Sequence, residues 1–478
     1  MTTKIISILF LLMQITIGTK AQCWKQFGTF GNFNIALTWS GNYYAWGSNF
    51  GGQLCDGTDT DRRTRTLFDS SDNWVSIVAG QIMSMGLKHD GTIWGWGANN
   101  FGQLGDGTIF ARYKPVQIGT EHDWKAVFPG TNQSFAIKKN GTLWSWGDNT
   151  EGELGDSTNI AKLTPIQVGT DTDWEFISPG GNHVLALKKD GSVWVWGEGM
   201  LGQLGNGIFS YTNFPSQMGT DKDWVFIDAG FHFSTGIKKD GSLWGWGWNG
   251  AGLLGNNTLT DSNIPIRITN YTWKTVSAGQ DHILAIRSDG TLWVWGNNTN
   301  GPLGDGTTIA SYIPKQIDTA TDWLSVSAGI AHSMAMKKDG SLWTWGWNYY
   351  GQVGDGITRD RLIPYKILCN PSDGIVPPPL PSSANLIYSI PNAFTPNKDG
   401  LNDVFSVSGI NISDIHLEIY SRWGEKIFEE DGLDSGWNGD YQGKPCQEGI
   451  YFYSIKIKGS IDNIERTEHT VGAINLLR

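Results

Sequence analysis

The sequence predicts an all-β chain: a seven-bladed β-propeller followed by a small C-terminal β-sandwich. Three observations carry this. A W-x-W-G signal recurs with an almost constant period, ending at Trp96, Trp146, Trp196, Trp246, Trp295 and Trp345, with a weaker first copy at Trp46. Each unit holds four short segments of strand-like alternation. The period stops at a Pro-rich stretch, beyond which a different alternating pattern begins. Of 25 Trp residues, 23 lie between Trp24 and Trp347, so indole is a repeat feature and not a general bias. The chain has 478 residues, ample for several domains. Its net charge of −11 argues against a nucleic-acid binder, which normally carries a basic face.

Residues 1–21 read as a secretory signal peptide. Lys4 supplies the positive n-region, Ile5 to Ile17 the apolar core, and Thr19 and Ala21 the small residues before a cleavage site. The apolar run is shorter than the ~20 residues of a membrane-spanning helix. Gln22 precedes Cys23 where lipid attachment wants a small residue, so a lipoprotein is not expected. Export places the mature chain in an oxidising compartment.

Residues 22–369 hold the seven repeats. In the last unit, Trp323 to Gly329, His332 to Lys337, Leu342 to Trp345 and a short segment near Pro364 to Leu368 read as four strands. Asp339-Gly340 reads as a two-residue hairpin turn, because Gly tolerates positive φ. Proline in the last segment suits an edge strand. A lone blade cannot bury both faces; stacked around an axis, each covers its neighbour, and indoles fill the wedge between. Seven units suit a closed ring.

Trp94-Gly95-Trp96-Gly97-Ala98-Asn99-Asn100-Phe101-Gly102-Gln103-Leu104-Gly105-Asp106-Gly107-Thr108 resembles the repeat of the regulator of chromosome condensation family. The resemblance covers all seven units and implies a seven-bladed propeller. It implies little about function, since the repeat serves nucleotide exchange, ubiquitin ligases and secreted inhibitors alike. The founding exchange factor uses a β-wedge inserted in one blade. Units of 49–50 residues leave no room for one here, so no small-GTPase partner is expected.

Cys23 precedes the first repeat Trp and Cys369 follows the last strand. In a closed ring these positions fall close together, and a Cys23–Cys369 disulfide is expected. Cys55 replaces a loop glycine, and Cys446 lies in the tail.

Residues 370–389 form a Pro-rich linker, and residues 390–478 a small β-sandwich. The opening Ile390-Pro391-Asn392-Ala393-Phe394-Thr395-Pro396-Asn397-Lys398-Asp399-Gly400-Leu401-Asn402-Asp403, the Trp423-Gly424 turn and the Gly449-Ile450-Tyr451 strand resemble the gliding-motility-associated C-terminal domain. That family is the type B sorting domain of type IX secretion. The resemblance implies a Bacteroidetes-type source. It also implies export through the periplasm to the outer-membrane surface or beyond, with residues 390–478 read by the secretion machinery. Asn397, Asp399, Asn402 and Asp403 crowd oxygen ligands around Gly400, a pattern suited to Ca²⁺ or to an Asx-stabilised turn. No other cofactor is expected.

No H-E-x-x-H, G-x-S-x-G, C-x-x-C or phosphate-binding loop occurs. His183, His282 and His332 share one repeat position, which other repeats fill with Asn34, Met83, Gln133 and Phe233. That variety argues for a packing role rather than a zinc site. Phe50, Phe101, Tyr349 and Tyr350 follow the W-x-W-G signal in repeats one, two and seven, neighbours in a closed ring. An aromatic arc on one rim suits a partner protein or glycan. The expected function is a secreted or cell-surface, non-enzymatic binding or adhesion propeller. The alternatives are a secreted inhibitor of an enzyme, a function found within this repeat class, and a glycan- or cell-wall-active hydrolase.

Overall fold

The structure, a computed structural model, describes residues 24–38, 41–69 and 74–368 of the repeat region. Of the tail it describes 387–389, 393–394, 396, 404–410, 412–421, 425–433, 436–461 and 464–476. Residues 1–21, read as a signal peptide, and Cys23, Cys369, Asn397, Asp399, Asn402 and Asp403 lie outside these residues. The chain divides into two compact units at Pro378/Pro379.

The first unit holds seven four-stranded antiparallel sheets, each made of strands consecutive in sequence. Blade 1 comprises Trp24–Thr29, Phe33–Thr38, Tyr43–Gly47 and Arg62–Asp69. The others follow at residues 74–118, 124–168, 174–217, 224–267, 273–316 and 323–367. Blade 7 closes on blade 1. His332 Nε2 lies 2.8 Å from Asn34 Oδ1, the Ser327 hydroxyl accepts the Thr29 N–H at 3.0 Å, and the Trp46 indole donates to the Gln352 carbonyl at 2.9 Å.

The W-x-W-G motif explains itself at these junctions. Its second Trp is buried and donates its indole N–H to a backbone carbonyl of the preceding blade: Trp96 to Gln53, Trp146 to Gln103, Trp345 to Pro302. One side chain thus fills the wedge and satisfies a buried carbonyl. The first Trp of the motif, half-buried, works within its blade. Lys188 Nζ sits 4.6 Å from the Trp174 ring and 4.4 Å from the Trp194 ring, and Lys88, Lys138, Lys238 and Lys337 are clamped likewise.

Two details differ from the expectation. The Asp-Gly turns are three-residue loops rather than two: Gly340 N–H bonds the Lys337 carbonyl and Lys337 N–H the Ser341 carbonyl. Gly340 takes φ +77°, the left-handed residue that closes a type I turn with a bulge. The fourth strand of blade 7 also starts earlier, at Arg361, and Pro364 falls where the ladder register shifts between Thr344 and Gly346. A bulge on an edge strand tolerates the missing N–H.

Around the axis, the seven innermost strands enclose a channel of about 140 Å³. The fifth residue of each strand is Gly28, Val78, Phe128, Ser178, Asp228, Ser277 or Ser327. In four blades this side chain accepts the N–H of the next blade: Ser178 from Ala229, Asp228 from Ala278, Ser277 from Ala328, Ser327 from Thr29.

The tail is a five-stranded sheet in the order 393–394, 464–476, 449–461, 412–420, 426–431. A short ribbon of Phe405–Ser406 with Gly436–Trp437 covers one face, burying Ile415, Leu417, Ile419, Ile455 and Ile457. This is a small β-sandwich. Ile387–Ser389 pairs with Ser408–Ile410, so its strands begin inside the segment read as linker.

Candidate binding face

Antiparallel strands place the first-to-second turns and the long third-to-fourth loops of every blade on one end of the ring. These loops carry little regular structure, yet a buried asparagine holds most of them. Asn348 Oδ1 accepts the Val353 N–H at 2.8 Å, and its Nδ2 lies 3.0–3.1 Å from Asp355 Oδ1 and the carbonyls of Ile357 and Arg359. Asn49, Asn99, Asn149, Asn249 and Asn298 act alike. The recurring Asp then pairs with a cation, as Asp355 does with Arg361 at 2.7 Å. These aspartates organise turns.

On this scaffold Phe50, Phe101 and Tyr349 are 61, 43 and 66% exposed. Tyr349 and Tyr350 contact each other edge-on at 5.0 Å, and Trp347 joins them, stacked on Tyr349 at 6.3 Å and edge-on to Tyr350 at 5.4 Å. Among the described ring contacts, Phe50 and Phe101 stay apart from that cluster. The structure therefore resolves the expected arc into one three-ring platform on blade 7 and two separate rings. Trp347, missed in the sequence, is the centre of the platform; its alignment with Ser48, Ala98 and Asn297 was the available signal.

Blade 4 breaks the scheme. Gly199 stands where the asparagine belongs, and a Cβ there would lie 1.9 Å from the Ser210 carbonyl oxygen. Asn206 and Thr212 replace the ion pair, and Met200, Ile208, Phe209, Tyr211 and Phe214 are each more than half exposed. A second apolar stretch thus occupies the rim of the loop end.

The aligned histidines bridge blades. His183 Nε2 lies 2.9 Å from Ser234 Oγ and His282 Nε2 2.9 Å from Ser333 Oγ. Burial pushes all three imidazoles down to about 3, so they are neutral. They reach side chains of the next blade and form no metal centre with each other. Glu198 and His232 approach to 4.0 Å at the loop end of blades 4 and 5. On the tail, His416, Glu418 and Glu429 have metal-like spacing, but Lys426 Nζ already sits 3.2 and 2.6 Å from the two glutamates.

A ring of seven four-stranded blades, sealed by tryptophan and presenting asparagine-anchored loops, defines a tandem-repeat β-propeller. Residues 14–275 match the RCC1-like domain, and residues 289–336 and 339–376 the regulator of chromosome condensation (RCC1) repeat. The chain belongs to the RCC1-like domain family. Residues 388–475 match the CHU_C type IX secretion signal domain, which marks the chain for export. Yeast RCC1 (Prp20), solved bound to Kap60, is similar at 21% identity and TM-score 0.63, over 75% of this chain and 90% of that one. Human WBSCR16 is similar at 21% identity and TM-score 0.62, over 69 and 95%. Prp20p from Saccharomyces cerevisiae, described with its binding to Gsp1p and histones, gives 22% identity and TM-score 0.61, over 74 and 89%. At this identity the likeness is one of fold. No curated protein sequence matches significantly.

Proposed function

We propose that this chain is a secreted or cell-surface, non-enzymatic binding or adhesion propeller that engages an extracellular protein or glycan through its loop end. The observation that carries this reading is the Trp347–Tyr349–Tyr350 platform on an asparagine-anchored loop. An exposed Tyr349 backed by half-buried Trp347 and Tyr350 supplies contact area at low entropic cost. The non-enzymatic part is supported by the three aligned histidines, neutral and engaged between blades. In this reading the chain passes the periplasm by its signal peptide, and residues 390–478 address the type IX machinery as cargo label. Nucleic acid and small GTPases are not partners. A Cys23–Cys369 bond pins the ring, and calcium is a candidate for the Asn397–Asp403 loop.

Cross-linking the exported protein on its own cells, followed by mass spectrometry, tests this against a Tyr349→Ala/Tyr350→Ala variant and a glycan array. The expected result is a protein or glycan captured by the native chain and lost in the variant. A single enzyme captured stoichiometrically and inhibited would favour the inhibitor reading; turnover of a glycan would favour the hydrolase.

A further inference from the structure

Among the described residues, Asp228 is the only charged one lining the axial channel. Protein surrounds its carboxyl, yet the channel still reaches it, so the residue keeps partial exposure. One oxygen accepts the Ser178 hydroxyl at 3.1 Å and the other the Ala278 N–H at 2.8 Å. No described cation pairs with it. The repeat itself shows that this charge is not needed for stapling blades: Ser178, Ser277 and Ser327 make the same link with a neutral hydroxyl. An ionised carboxylate here costs several kcal/mol of desolvation that its neighbours avoid.

The adjoining wall is aromatic. Phe226 lies two residues before Asp228 on the same strand, and so on the same face. Phe176 is 6.2 Å from Phe226 and 5.3 Å from Phe128, and all three line the channel. A carboxylate in a channel lined by aromatic rings is the chemistry that holds an alkylammonium group, by charge and by cation–π attraction. A metal ion would want several oxygen ligands, and here the neighbouring hydroxyls already serve the backbone. The volume matches cavities that accept a benzene-sized ligand.

We propose that the axial channel is a binding site for a small organic ammonium ion. Its charge rests on Asp228 and its alkyl groups on Phe128, Phe176 and Phe226. The site is independent of the aromatic platform on blade 7. Burial raises the Asp228 carboxyl to about 7, against hydrogen bonds from Ala278 and Ser178, so occupancy increases from pH 6 to pH 8. No other described ionisable side chain lines the channel; the loop end of the same blades carries Glu198, His232 and Asp281.

The test is calorimetric titration of the full-length exported protein with tetramethylammonium chloride and with n-butylammonium chloride, against sodium chloride. The expected result is saturable binding of one equivalent of an ammonium ion, weakened at least tenfold in Asp228→Ser. That variant copies the residue of blades 4, 6 and 7 and keeps the inter-blade bond. A second variant, Phe226→Leu, keeps bulk without the ring face and should weaken tetramethylammonium several-fold. Heats no larger than those of sodium chloride, or undiminished binding by Asp228→Ser, would overturn the proposal. Loss of aromatic-platform binding in Tyr349→Ala/Tyr350→Ala leaves this outcome unaffected.

Discussion

Glu153 shows what a single departure from the repeat costs. Its counterparts Gln53, Gln103, Gln203 and Gln352 use a neutral amide oxygen to accept the N–H two residues earlier, and Glu153 does so with a carboxylate. Burial lifts that carboxyl to about 7, with Asp148 and Glu151 adding to it and backbone N–H groups opposing. Glu153→Gln should therefore stabilise the ring by about 1–3 kcal/mol at pH 8, read from urea unfolding. The gain should shrink below pH 6, where native Glu153 is protonated. The sequence showed the shared position of the histidines and the variety of residues it accepts, so a packing role was legible. Their partners Ser234, Ser333 and Asn34 were not, because each sits on a different blade some 50 or 300 residues away. Asp228 was legible only by comparing one column of the inner strands, where a lone charge stands among small, apolar and hydroxyl residues.

Within the long loops, the anchoring asparagine spreads its hydrogen bonds over the most positions of the chain. Asn298 reaches Asp305, Thr307, Ile309 and Leu303. Asn298→Ala removes the partner of the buried Leu303 N–H and of the Thr307 and Ile309 carbonyls and should cost about 2–4 kcal/mol. Hydrogen exchange confined to residues 297–310 would check that the loss is local. Strand positions and the W-x-W-G periods could be read directly, since alternation and period are properties of neighbouring residues. The turn length and the start of the outer strand could not. A three-residue loop and a two-residue one share the same Asp-Gly signature, and only the Lys337–Ser341 bond separates them. The aromatic arc was half legible: sequence placed Tyr349 and Tyr350 on one loop, but ring contact depends on loop geometry that no spacing encodes.

At the scale of the whole molecule, buried ionisable groups set the response to acid. Native His183, His282 and His332 resist protonation down to about pH 3, while the unfolded chain takes those protons near 6.5. Native Asp228 and Glu153 take theirs near 7, whereas the unfolded chain does so near 4. Between pH 6 and 4.5 the unfolded chain binds three of these protons and the native chain two, so stability falls only gently as pH drops. Below pH 4 the unfolded chain binds five and the native chain still about two. Three protons then weigh against the fold, about 4 kcal/mol per pH unit. Asp106 and Asp156 steepen this limb, since their burial is outweighed by hydrogen bonds from Thr108 and Thr158 that keep them below their usual range. Urea midpoints should thus be flat near neutrality and collapse below pH 4. His282→Gln, which copies Gln133 of blade 3, should flatten the collapse by about one proton. A midpoint that holds to pH 3 would refute this.

Each sheet takes all four strands from one unbroken stretch, and the joint between blades 7 and 1 uses the same indole link as the other six. No strand is lent across the seam. The ring accordingly has no privileged beginning. A gene rewritten to start at Trp124 and end at Ile118, with a short connector joining blade 7 to blade 1, should yield the same propeller with a similar urea midpoint. Evolution by copying or deleting a blade acts on a unit that carries its whole fold with it.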